Sequence, residues 1–66
     1  MGEMWTDWGN GYTEHTRGWM NTCLAFEGKE IARTDGDTVI AYDKQHRAMI
    51  EEWAEWYGFE IVWQNR

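Results

Sequence analysis

The 66-residue chain predicts an α+β fold: a small antiparallel β-meander, one amphipathic helix packed on one of its faces, and a C-terminal strand joining the sheet, preceded by an N-terminal β-hairpin or loop. Three observations carry that expectation. Apolar residues recur at helical spacing across 43–57, apolar and polar residues alternate across 59–64, and three β-prone runs between 22 and 42 are separated by glycine-containing turns. A chain of this length holds one domain and buries only about 60% of the surface exposed when unfolded. The whole of 1–66 is therefore read as a single unit. Its parts are an aromatic, Gly-rich segment over 1–18, a meander over 19–42, a helix over 43–57 and a last strand over 59–64.

The helix is the plainest element. Asp43 is a good N-cap, and Gly58 stands where a left-handed C-terminal glycine belongs. At 100° per residue, His46, Met49, Ile50, Trp53, Ala54, Trp56 and Tyr57 share one half of the wheel. Lys44, Gln45, Arg47, Ala48, Glu51, Glu52 and Glu55 occupy the other half, so the helix should bury one face and show an acidic one. After Gly58, the bulky Phe59, Ile61 and Trp63 alternate with Glu60, Val62 and Gln64. A crossover through a helix reverses the chain twice, so this strand should run parallel to the third strand of the meander.

In the meander, a two-residue loop at Gly28-Lys29 would set Phe26 opposite Ile31, and one at Asp35-Gly36 would set Ile31 opposite Ile40. Leu24, Phe26, Ile31, Ile40 and Tyr42 would then line the face under the helix, continued by Met20. Cys23, Ala25, Ala32, Val39 and Ala41, with Trp19 at one end, would form a lighter opposite face. Around Gly9-Asn10-Gly11, a three-residue loop would pair Trp8 with Tyr12 and Trp5 with His15. That hairpin could fold over the alanine-rich face or leave it to a partner.

Composition narrows the function. Twelve acidic against six basic residues give a net charge of −6, which repels polyanions and excludes direct binding of nucleic acid or an anionic membrane. Attraction to a basic protein surface is allowed. With 42% hydrophobic residues the chain should fold, and with no long apolar run or leader-like segment it is expected to be soluble and cytoplasmic. Met1-Gly2 with Thr6 fits the myristoylation pattern only loosely, because Glu3 and Trp5 crowd the glycine. One cysteine and two histidines fall short of a disulfide or a four-ligand zinc site, so no metal or cofactor is expected.

Cys23 reads as a small buried hydrophobe, His46 as a packing residue on the apolar side of the helix, and His15 as a strand or turn residue. No nucleophile stands beside a base, and the chain is read as a non-enzyme. The denser features are acidic and aromatic. Glu51, Glu52 and Glu55, with Asp35, Asp37 and Asp43, are either a solvated surface or an imitation of phosphate spacing. The aromatics Trp5, Trp8, Tyr12, Trp19 and Trp56 exceed what one helix and four strands need, and are either a second small core or interface anchors. The expected function is a protein-binding inhibitor that occupies the basic groove of a nucleic-acid-binding enzyme by charge mimicry. Compact acidic inhibitors of restriction systems, CRISPR effectors and uracil-DNA glycosylases act on this principle. The alternative is a homo-oligomeric accessory protein, a homodimer joined through Trp19 and the alanine-rich face.

Overall fold

The computed structural model describes residues 3–18 and 21–64. The expected placements of Trp19 and Met20 lie outside the described residues. Strands β1 (Glu3–Gly9), β2 (Tyr12–Arg17), β3 (Thr22–Phe26), β4 (Lys29–Asp35) and β5 (Thr38–Ala41) follow one another, and a 3-10 turn (Lys44–His46) leads into helix α1 (Arg47–Tyr57) and strand β6 (Glu60–Trp63). The strands form one sheet in sequence order. Neighbours are antiparallel except β5 and β6, which run parallel as the double reversal requires.

The helix ends are built as their residues dictate. The Asp43 carboxylate accepts the Gln45 N–H at 3.0 Å and starts the turn that leads into α1. Gly58 takes a left-handed φ of 77° and closes the last turn. Ile50, Trp53 and Ala54 are buried, whereas Trp56, on the flank of the same arc, is 73% exposed. In β6, Ile61 and Trp63 pack on the core, and Glu60 and Val62, with Gln64 just past the strand, are exposed. No helix among the described residues is long and apolar enough to cross a membrane.

The meander departs from the expected register. The loops are Glu27-Gly28, with Phe26 opposite Lys29, and Gly36-Asp37, with Asp35 opposite Thr38. Glu27 accepts a φ of 51° beside Gly28 at 87°, and its N–H is held by the Gly11 carbonyl at 2.8 Å. A bulge leaves Ile31 between Glu30, which faces Ala25, and Ala32, which faces Leu24. Ile31 and Ala32 are both buried in consequence.

The face under α1 therefore carries Leu24, Ile31, Ala32, Val39 and Ala41, in one cluster with Ile50, Trp53 and Ala54. Ile40 lies outside that cluster, and the alternation of β5 puts it and Tyr42 on the far face. Of the residues expected on the open side, Ala32, Val39 and Ala41 are covered by the helix, whereas Cys23 and Ala25 stay on the open side beside Trp5 and His15. The reason is volume: Trp53 is wholly buried, and small residues beneath it leave room for the indole.

The N-terminal hairpin neither folds over the sheet nor hangs free. It extends the sheet through β2 pairing with β3, Tyr12 opposite Phe26 and Glu14 opposite Leu24. Trp5 faces His15 as expected. Trp8 does not face Tyr12: the loop is the two-residue Asn10-Gly11, both with positive φ, and Gly9 takes the place opposite Tyr12. Trp8 is the extra residue of a bulge between Asp7 and Gly9.

Candidate binding groove

The bulge at Trp8 has a local cause. The tight Asn-Gly turn and the Trp5–His15 pairing differ by one residue in register, and Trp8 absorbs the difference. Its indole joins the aromatic residues packed on the core side of the sheet. Trp8 Nε1 donates to Glu14 Oε1 at 2.7 Å. From the last turn of α1, the Tyr57 hydroxyl donates to the other oxygen, Glu14 Oε2.

Glu14 is only 5% exposed. A carboxylate buried to that degree costs several kcal/mol unless it is hydrogen-bonded, and these two donors answer the requirement. Burial, and then the bond to Glu14 and its negative charge, push the Tyr57 phenol well above its ordinary range. Glu14 thus ties the hairpin bulge and the helix end to the sheet.

Around this carboxylate runs a groove of about 430 Å³, lined by Met4, Thr6, Asp7, Trp8, Glu14, Thr16, Trp56 and Tyr57. Trp8 and Trp56 meet edge to face, with centroids 6.1 Å apart at 84°. The same pair also lines a second hollow, of about 340 Å³, with Glu52 and Glu55. Acidic helix residues and exposed aromatic residues share one surface, formed by the outer flank of α1 and edge strand β1.

Of the residues singled out in the sequence, the structure brings together Trp8, Trp56, Glu52 and Glu55. Glu51 belongs to the same helix but forms an exposed ion pair with Arg47 at 3.1 Å, and that guanidinium lies 5.9 Å from the Trp63 ring. Asp35 and Asp37 are exposed at the β4–β5 turn, whose Gly36 shares a hollow with Tyr57 and Phe59 at the C-terminal end of α1. Asp43 stands at the opposite end as a cap. Trp5 is on the far face of the sheet, stacked on His15 at 3.8 Å and 65% exposed. Trp19 lies outside the described residues.

Glu14, Tyr57 and Met4 belong to the groove and were not singled out from the sequence. Glu14 carries a readable signal in hindsight. It sits two residues from Tyr12 in an alternating run, so any pairing that buries Tyr12 also turns Glu14 inward.

The cysteine and histidines have separate surroundings. Cys23 faces His15 across β2 and β3, a neighbour the sequence map did not supply. Burial, and then the nearby Glu30, raise its thiol pKa, the reverse of what a reactive thiolate needs. His46 Nδ1 is hydrogen-bonded to the Tyr12 hydroxyl at 2.7 Å, its ring lies 4.4 Å from Phe26, and its Nε2 is 4.0 Å from Asp43 Oδ2. Among the described residues no three His, Cys, Asp or Glu side chains come together as a metal site. Comparison with known proteins finds no family model, no curated protein and no solved structure that matches this chain.

Proposed function

We propose that the protein is a non-enzymatic inhibitor that binds a basic, nucleic-acid-handling protein and competes with the nucleic acid for its positive surface. The observation that carries this reading is the coincidence of two features on one face. Glu52 and Glu55 line the same hollow as Trp8 and the 73% exposed Trp56. Carboxylates on a chain of net charge −6 steer encounter with a cationic partner, and desolvated tryptophans then hold the complex. Salt weakens the first of these effects.

The test uses the tagged full chain as bait at low and high salt, beside a Glu52→Gln/Glu55→Gln variant. Both positions are exposed, so the variant should melt like the parent. The expected result is salt-sensitive capture of a nucleic-acid-binding protein by the parent and its loss in the variant. Equal capture by both, or capture indifferent to salt, overturns the reading.

A second reading rests on the far face of the sheet, where Trp5 is 65% and Val62 47% exposed. A homodimer joined there is the form self-association would take, since Ala32, Val39 and Ala41 of the alanine-rich surface lie under α1 while Cys23 and Ala25 stay beside Trp5. A concentration-dependent mass that Trp5→Ser abolishes would favour it.

A further inference from the structure

We propose that the groove over Glu14 is a receptor for an arginine side chain of the partner. This rests on the reading of the α1–β1 face as the partner-binding surface and names the chemistry it takes. The groove floor is the Glu14 carboxylate, buried and fixed by the Trp8 indole and the Tyr57 hydroxyl. Its walls are Trp8 and Trp56, nearly perpendicular, with Tyr57 beside them and Asp7 among the lining residues. Among the described residues, no lysine or arginine lines this groove or the adjoining Glu52/Glu55 hollow.

Charge decides the occupant. An anion would meet Glu14, Asp7, Glu52 and Glu55 without a compensating cation. An apolar group would strip water from Asp7, Glu52 and Glu55 and return no hydrogen bond. A cation gains from the carboxylates and also from the negative faces of the indoles, the strongest cation–π partners among the side chains. Low-dielectric aromatic walls concentrate the field in the cleft.

Among cations the guanidinium suits these walls best, being planar, weakly hydrated and able to stack on an aromatic face while donating to a carboxylate. The molecule makes this pairing internally, with the Arg47 guanidinium near the Trp63 ring and bonded to Glu51. A volume of about 430 Å³ accommodates the whole arginine side chain.

The test is an NMR titration of the indole N–H signals of the full chain with the capped peptide acetyl-Gly-Arg-Gly-amide. Matched peptides carrying citrulline or lysine run in parallel. The arginine peptide should shift the Trp8 and Trp56 signals saturably, at least about tenfold more tightly than either control, while Trp5 stays still. The exposed Trp56→Ala variant, which keeps the core, should lose the response, and Glu14→Gln should weaken it. Citrulline or lysine acting as well as arginine overturns the assignment, as does a silent pair of indoles at millimolar peptide. The two proposals separate cleanly. Partner capture that depends on Glu52 and Glu55 without an arginine response refutes the receptor alone, and an arginine response with capture indifferent to those residues refutes the inhibitor reading alone.

Discussion

Tyr57, at the rim of the groove, donates its hydroxyl to the buried Glu14 carboxylate, and that bond holds the proton on the phenol. The phenol pKa is raised above the ordinary 10, so the stability it contributes is complete below that value and is lost as pH rises through the folded-state pKa. A difference titration of phenolate absorbance between the parent and Tyr57→Phe should place the Tyr57 step on the alkaline side of 10. A step at the ordinary value would mean that the bond to Glu14 is not made in solution. Trp53 is the other decisive residue, wholly buried in the cluster beneath α1. Trp53→Ala should cost about 3 to 5 kcal/mol, enough to leave so small a domain largely unfolded, and a thermal melt like the parent's would contradict this packing. Trp53 was legible because helical periodicity puts it at the centre of an apolar arc. Glu14 was legible only in part: alternation turns it to the same side as Tyr12, but whether that side is buried depends on where the hairpin docks.

At the level of elements, the helix and last strand could be read almost residue by residue. Asp43 and Gly58 are start and stop signals with a physical mechanism, and the alternation from Phe59 to Gln64 holds in the fold. The meander was harder, since Gly28 and Gly36 each allow loops that differ by one residue, and one residue exchanges the faces of a strand. The choice fell to long-range packing: Ala32, Val39 and Ala41 went under Trp53, and a bulge kept Ile31 with them. The hairpin turn offers a direct test. Gly11 has a φ of 90°, and an added Cβ would stand 3.0 Å from Phe26 Cε1 and 3.3 Å from Glu27 Cγ. Gly58, at 77°, has open space around the same position. Gly58→Ala should cost about 1 kcal/mol from conformation alone, and Gly11→Ala should cost more because crowding of Phe26 is added. Urea denaturation of the two variants gives the comparison, and equal losses would show that the β2–β3 junction is looser than described.

For the molecule as a whole, the six-stranded sheet has its helix on one face, and the two sides differ in character. The α1–β1 edge combines acidic and aromatic residues around grooves, while the far face carries the Trp5–His15 stack, Cys23 and Ile40 with Arg33 opposite Cys23. Net charge and aromatic excess were both visible in the composition, but their meeting on one flank of α1 was not, because it depends on the Trp8 bulge facing Trp56. That meeting is the centre of the functional proposal. It is tested most directly by competition: the captured partner is loaded with labelled nucleic acid and titrated with the parent protein or with Glu52→Gln/Glu55→Gln. The parent should displace the nucleic acid at stoichiometric concentration, less well as salt is raised, and the variant should fail although it melts normally. Nucleic acid that stays bound at saturating parent protein, or is displaced equally by the variant, would contradict charge mimicry.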